Sequence, residues 1–326
     1  MIAMKAAVIH QFGEIPRYED FADPIPQTED DLILTVKAAS IKNIDKYQAK
    51  GSHYDRYKNL PAVVGTDGVG ILPDGTRVFA FYAGATMAEK ALVRSGAYVV
   101  LPDAIDSITA AALPNPGLSA WFSLYYRAGL RPGETVLING STGVTGKMAI
   151  QLANYFGAGK VIATGRNPQT LATLPNLGAD VVISLAQSDA DLQAALKTEL
   201  KKKPVDVIID YTWGHPAEIL LRTLTGNDFM AEAHRTRYVT VGEMAGPTIQ
   251  LASDTLRSAA IELYGVGGGS IPKEVMKKVP TELLPKLFDL AARGLLTIET
   301  EIISLKDVEQ AWEQGETAGK RFVLVP

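Results

Sequence analysis

From about residue 120 the chain repeats one pattern, a short apolar run rich in Val and Ile, a helical stretch, and another apolar run. The runs are "TVLIN" at 135–139, "VIATG" at 161–165, "VVISL" at 181–185, "VDVIIDY" at 205–211 and "RYVTVG" at 237–242. Hydrophobicity that is continuous, not alternating, marks strands covered on both faces, and the helical stretches between them supply the cover. The segment therefore predicts a doubly wound α/β domain with a parallel sheet. The helix expected over 144–156 follows from Val144, Met148, Leu152 and Tyr155, which recur at helical spacing, with Gly157 as a stop.

The first strand and this helix are joined by "NGSTGVTGK" at 139–147. A phosphate loop of the ATPase kind needs Gly, four residues, then Gly-Lys-Ser/Thr, because the lysine reaches the outer phosphates and the hydroxyl holds magnesium. Here five residues separate Gly140 from Gly146 and Met148 follows Lys147, so spacing and hydroxyl both fail. The same residues read Gly140-x-x-Gly143-x-x-Gly146, a relative of the dinucleotide fingerprint in the strand-turn-helix context that the fingerprint requires. Small residues let the backbone approach a pyrophosphate, and a helix N-terminus offers free N–H groups. Ser141, Thr142, Gly143 and Val144 are the candidates for that contact. A glycine-rich turn that serves packing alone is the alternative.

The second strand ends in "ATGRN", which places Gly165, Arg166 and Asn167 where the adenosine ribose is read. An NAD-binding chain carries Asp or Glu about 20 residues past the glycines, to accept from the 2′-hydroxyl. A guanidinium instead offers paired donors and a permanent charge to a 2′-phosphate, so Arg166 favours NADPH. An ordinary surface arginine is the competing reading.

Residues 1–115 follow another rhythm. Short runs such as "KAAVIH" at 5–10, "DLILTVKAAS" at 31–40, "RVFAFY" at 77–82 and "AYVVLP" at 97–102 are broken by Gly, Pro and Asp, as in an irregular β domain. After "AIELYGVGGGS" at 260–270 come two helical segments and the strand-like "IETEIISL" and "RFVLVP", expected to return to the first domain. At 326 residues the chain exceeds the size of a single core, so two domains are expected. A formal net charge of −4 gives no basic field for a nucleic acid, which points to a small-molecule partner. No run approaches the roughly 18 apolar residues of a membrane span, and the start "MIAMKAAVIH" does not read as a leader, so the cytoplasm is the expected location.

Candidate catalytic pairs and metal ligands are few. Tyr54 and Lys58 in "YDRYK" have the Tyr-x-x-x-Lys spacing of short-chain dehydrogenases but precede the glycine-rich turn, where that family places them after it. His10, His53, His215 and His234 show no metal-binding pair and read as structural or surface residues. The chain has no cysteine, which removes disulfides, thiolate nucleophiles and cysteine-ligated zinc.

The order of these parts resembles the medium-chain dehydrogenase/reductase superfamily, and within it the zinc-free NADPH:quinone oxidoreductase-like branch. The segments that carry the likeness are "MKAAVIHQFG", "VKAASIKNIDKYQAKGSHY", "LPAVVGTDGVG", "GTRVFAFYAGATMAEKALV", "AAALPNPGLSAWFSLYYRAGLRPGETVLINGSTGVTGKMAIQLANYFGA" and "AGKRFVLVP". The resemblance implies a GroES-like, β-rich catalytic domain over 1–120 and 265–326, with a Rossmann NADPH-binding domain over 121–264 inserted in it. It also implies hydride transfer from NADPH, in a homodimer or homotetramer. Where zinc-dependent relatives have Gly-His-Glu this chain reads Gly65-Thr66-Asp67, so no metal ligand set is expected. Without a Lewis acid the better acceptors are a quinone or an α,β-unsaturated carbonyl, in which conjugation spreads the charge.

By the same resemblance Tyr47 matches a tyrosine placed near the nicotinamide, to orient a carbonyl or give a proton; a tyrosine packed on its own helix is the alternative. The branch has Asn where this chain has Lys42, with Asn43 next to it, and Asn43 is taken as the candidate. Val241, Gly242 and Glu243, and Gly265, Val266 and Gly267, match loops that flank nicotinamide, or serve simple turn geometry. Lys320 and Arg321 resemble a basic pair that reaches the cofactor phosphates, or form a solvated pair. Two other functions fit the same residues: reduction of an enoyl thioester, for which "KEVMKK" at 273–278 would hold phosphates, and an NADPH sensor without turnover.

Overall fold

The computed structural model describes residues 3–52, 56–81, 83–225, 233–314 and 319–326, so His53 and Tyr54 lie outside the described residues. Two compact units emerge, Met1–Asn115 with Glu274–Pro326, and Pro116–Lys273.

In chain order the first segment holds β1 (Ala3–Ile9), β2 (Arg17–Ala22), β3 (Asp31–Ser40), the short helix α1 (Asn43–Ala49), β4 (Ala62–Val63), β5 (Gly68–Ile71), β6 (Arg77–Ala80), β7 (Lys90–Arg94) and β8 (Tyr98–Val100). The helices α2 (Ser107–Ala112) and α3 (Pro114–Trp121) follow. Next come β9 (Thr135–Asn139), α4 (Val144–Tyr155), β10 (Lys160–Gly165), α5 (Pro168–Thr173), β11 (Val181–Ser184) and α6 (Asp189–Lys202). The alternation continues with β12 (Val207–Asp210), α7 (Gly214–Leu224), β13 (Thr236–Thr240) and β14 (Ile261–Gly265). The last strands are β15 (Thr300–Ser304) and β16 (Arg321–Val325).

Strands β9 to β14 form one six-stranded sheet in the order β11-β10-β9-β12-β13-β14, with every pair parallel. That order is the Rossmann arrangement, in which the strand sequence reverses beside the first strand and leaves a crevice at the carboxyl ends. Every residue of β9 and of β12 is buried, as continuous apolar runs require. Leu137, Ile162, Ile208 and Tyr238 from the sheet pack with Leu192 and Leu196 of α6 and Leu220 of α7. Each fully buried side chain of this size contributes roughly 1.5–3 kcal/mol. Helix α4 buries Val144, Met148 and Leu152, but Tyr155 is 42% exposed. The buried face therefore ends at Ala153, two residues before the helix does.

The other unit is built from strands drawn from both ends of the chain, and among the described residues its pairs are antiparallel except β15 with β16, which run parallel. A three-stranded sheet runs β2-β1-β4, and a seven-stranded sheet runs β15-β16-β3-β5-β6-β8 with β7 paired to β3. β16 thus lies between β15 and β3, bonding through Val323 opposite Ser40 and Leu324 opposite Ala39. Its Phe322 and Leu324 are buried with Ile9, Ile41, Val64 and Met87 of the N-terminal segment, which fixes the return of the chain end to this unit. No helix among the described residues is long and apolar enough to cross a membrane.

Candidate functional site

The turn after β9 shows three glycines with three different tasks. Gly140 has a φ of +88°, a conformation that glycine adopts without strain, and turns the chain out of the sheet. A methyl group on Gly146 would stand 2.5 Å from the carbonyl oxygen of Gly140 and from Ser141 Cα, so a bare Cα is what lets α4 lie against the turn. Gly143 is the opposite case, since a Cβ there would come no nearer than 4.0 Å to any neighbour. Nothing in the packing requires glycine at 143; the space above it is open. Gly143 is also the N-cap of the 12-residue helix α4, and no side chain caps that end. Uncapped N–H groups beside an open backbone fit a bound phosphate, which completes the helix and meets the positive end of its dipole.

The flanking candidates divide into surface and interior. Thr142 is half-buried, its side chain filling the space where a Cβ on Gly165 would stand. Gly165 is buried at the end of β10, while Arg166 and Asn167 are exposed just beyond it. Asn167 caps α5 by accepting from the Thr170 N–H at 2.9 Å, so its side-chain oxygen is already engaged. None of the ion pairs among the described residues involves Arg166, whose side chain is exposed just past the strand's carboxyl end. Ser141 does not share this surface. It is fully buried, and its hydroxyl donates to the Ile138 carbonyl at 2.6 Å, bracing the turn from inside.

Beneath the turn lies a buried polar network that composition and spacing did not reveal. Asn139 Nδ2 donates to Asp210 Oδ1 at 2.8 Å and to Thr212 Oγ1 at 2.5 Å, and the Thr164 hydroxyl donates to Asn139 Oδ1 at 2.6 Å. Tyr238 donates to Asp210 Oδ2 at 2.6 Å, and burial, with the Asp210 charge second, holds its phenol well above the usual range. The backbone N–H groups of Thr212 and Trp213 donate to Asp210 Oδ1 at 2.8 and 3.1 Å. Trp213 adopts a φ of +51°, unusual for a side-chain-bearing residue, and its bond to Asp210 helps to hold it there. One carboxylate therefore ties the carboxyl ends of β9 and β12 to the middle of β13. The signal in the sequence was a polar residue, Asn139 or Asp210, ending each of two otherwise apolar runs.

The loops after β13 and β14 stand at the same edge of the sheet. Val241 and Gly242 donate backbone N–H bonds to the Asp210 carbonyl at 2.8 and 3.2 Å, and Glu243 is exposed. A Cβ on Gly242 would meet the Tyr211 carbonyl oxygen at 2.7 Å, so close backbone approach requires glycine there. Gly265 and Gly267 are exposed with room for a side chain, and the Val266 N–H donates to the Thr240 carbonyl at 2.9 Å, extending the ladder.

In the other unit, Asn43 and Tyr47 lie one turn apart on α1 and both are exposed, Tyr47 at 43%. The opposite face of this helix is charged and buried. Lys42, at the N-cap, is 1% exposed, with Nζ 2.8 Å from Asp67 Oδ1 and 3.4 Å from Asp45 Oδ2. Burial opposes its charge, but Asp45 and Asp67 outweigh that and hold the ammonium pKa above its ordinary value. Of Thr66 and Asp67, which occupy the place of His-Glu, Asp67 thus faces the ammonium group while Thr66 donates to Asp45. The basic pair expected at the C-terminus is divided at the start of β16: Lys320, just before the strand, is exposed, but Arg321, its first residue, is 3% exposed, its guanidinium donating to the Ile41 carbonyl at 2.9 Å. Arg321 is spent inside its own unit and is not available to a cofactor phosphate.

Three histidines each stand beside a carboxylate, His10 with Glu19, His215 with Asp189 and His234 with Asp206, all partly exposed. No group of three or more His, Cys, Asp or Glu among the described residues has the geometry of a metal site. In 273–278 Lys277 pairs with Glu274 at 3.0 Å and Lys278 stands 3.8 Å from Glu282, which offsets the basic patch.

Sheet order, glycine turn and uncapped helix together define a dinucleotide-binding α/β protein whose second unit is β-rich. A family model described as "Zinc-binding dehydrogenase" matches residues 144–282. A probable NADPH-dependent quinone reductase of Emericella nidulans is 27% identical over 99% of this chain and 100% of its own length. The quinone oxidoreductase of Mus musculus is 29% identical over 83% of this chain and 82% of its own. The crystal structure of a probable oxidoreductase from Mycobacterium abscessus superimposes with a TM-score of 0.80 at 26% identity, covering 100% of this chain and 99% of that one. Over nearly its whole length the chain is thus similar to quinone oxidoreductases of the medium-chain dehydrogenase/reductase kind.

Proposed function

We propose that the protein is an NADPH-dependent oxidoreductase whose acceptor is a quinone or an α,β-unsaturated carbonyl compound. The observation that carries the cofactor reading is the open Gly143 backbone at the uncapped start of α4, with the exposed Arg166 at the end of the neighbouring strand. The backbone of Thr142, Gly143 and Val144 binds the pyrophosphate through N–H groups that need no reorganisation, and Arg166 binds the 2′-phosphate with paired charge-assisted bonds. Gly165 and Asn167 border the ribose, and the loops Val241–Glu243 and Gly265–Gly267 border the nicotinamide. Bound NADPH supplies the hydride.

The acceptor class is supported by the full-length likeness to a named quinone reductase. Reduction places negative charge on the acceptor oxygen, and the exposed Asn43 amide and Tyr47 hydroxyl can donate to it, Tyr47 also returning the proton. Homodimeric or homotetrameric assembly and a cytoplasmic location belong to the same reading, and light scattering tests the first. The decisive experiment measures oxidation of NADPH and of NADH with 1,4-benzoquinone, 9,10-phenanthrenequinone, short enones and an enoyl-CoA. Turnover with NADPH on quinones or enones supports the proposal. Turnover restricted to the enoyl thioester, or tight NADPH binding with none of these acceptors reduced, overturns it.

A further inference from the structure

Helix α1 is seven residues long, too short to hold itself in place. What anchors it is a buried charge cluster. The Lys42 backbone N–H donates to Asp45 Oδ2 at 2.9 Å, while Asp45 Oδ1 accepts from the Thr66 backbone N–H at 3.1 Å and from its hydroxyl at 2.9 Å. The Lys42 ammonium then crosses to Asp67 Oδ1 at 2.8 Å and donates to the Ser40 carbonyl at 3.2 Å. Asp67 is held in turn through its carbonyl oxygen, which accepts from the Thr86 hydroxyl at 2.8 Å. Lys42, Arg321, Asp45 and Asp67 are the charged groups facing one another here, two of each sign. A buried lysine without its carboxylates, or the carboxylates without it, would be an uncompensated charge in the interior. The cluster therefore has one arrangement in which all partners are met, and that arrangement sets the rotation of α1.

We propose that Lys42 is a positioning residue: an internal cation that locks α1 to the Gly65–Asp67 turn and thereby orients Asn43 and Tyr47 toward the acceptor. The inference rests on the reading of Asn43 and Tyr47 as the acceptor-facing pair. Lys42 itself touches neither acceptor nor cofactor.

The test compares the parent with Lys42→Met, which keeps the stem and removes the charge, and with the charge-balanced double variant Lys42→Met/Asp67→Asn. Three quantities are read: 1,4-benzoquinone turnover, the Kd for NADPH by fluorescence, and hydrogen exchange of the amides in 43–49 and 65–67. In Lys42→Met we expect kcat to fall about 10- to 100-fold, the cost of a misplaced positioning group, while NADPH affinity stays within about twofold. Exchange in both segments accelerates. The double variant recovers both the protection and a large part of kcat, and it decides the matter if Lys42→Met does not fold. Unchanged exchange in α1, kcat within about twofold of the parent, or loss of NADPH binding in step with turnover overturns the proposal. So does a folded double variant whose α1 amides remain unprotected. A parent that reduces no quinone would sink the proposed function instead, and the exchange data would still judge Lys42.

Discussion

Arg166 shows how much one side chain is asked to decide. Its guanidinium is the cationic group proposed for the 2′-phosphate, and hydrogen bonds to charged groups contribute roughly 1.5–3 kcal/mol. Arg166→Ala should therefore weaken NADPH binding about 10- to 100-fold and leave NADH unchanged, as read by paired fluorescence titrations. An unaltered NADPH-to-NADH ratio would contradict the phosphate account. The glycines make a second prediction by contrast. Gly146→Ala drives a methyl group into the Gly140 and Ser141 backbone, so it should lower thermal stability, overpacking of this kind costing about 1–3 kcal/mol. Gly143→Ala has room and should melt with the parent while binding NADPH less tightly. Equal melting temperatures for the two variants would count against the separate roles.

Elements decide which of two neighbouring residues faces the site. Ser141 and Thr142 are adjacent, yet one braces the turn inside and the other reaches Gly165. Lys42 and Asn43 are adjacent too, and the start of α1 turns one inward and the other outward. Spacing read along a chain cannot make that choice for a turn or a short helix, because the period is too brief to define a face. At the edge of the six-stranded sheet, Glu262 on β14 takes a forked pair of bonds from Arg235, at 2.6 and 2.9 Å, and a short one from Tyr264. The Arg235 bonds, and then that of Tyr264, hold the Glu262 carboxyl at about 2, below its ordinary 4.5. A depressed carboxyl stabilises the fold above its ordinary pKa and loses that effect as pH falls through the folded value. The parent should thus melt above Glu262→Gln at pH 7, and the gap should close between about pH 4.5 and pH 2, followed by scanning fluorimetry. A gap that is constant over that range would remove Glu262 from the account.

For the whole molecule, the chain's two ends meet in one unit, with β16 between β15 and β3. Removing residues 320–326 deletes a strand bonded on both sides and exposes the apolar surface that Phe322 and Leu324 cover. We expect that truncation to abolish the cooperative thermal transition of this unit, seen by calorimetry as a lost or broadened peak. A truncated chain that melts like the parent would mean that β16 is dispensable. Long-range pairing of this kind leaves little trace in sequence, since "RFVLVP" states that a strand exists and not which strands it joins.

Local chemistry and period were enough to establish the alternating parallel-sheet domain, the strand-turn-helix glycine segment and the cationic residue at the end of the second strand. Each follows from interactions within about 30 residues, the span of a βαβ unit, where hydrophobic period and glycine geometry act directly on the backbone. Tertiary structure alone decided the rest. It buried Arg321 and Ser141, gathered Asn139, Thr164, Asp210 and Tyr238 under the turn, and set Lys42 against Asp67. Several of these partners are far apart in sequence, Asn139 and Asp210 by 71 positions and Ile41 and Arg321 by 280. What brings them together is the requirement that buried polar and charged groups find partners, and only the folded chain shows which partners are within reach.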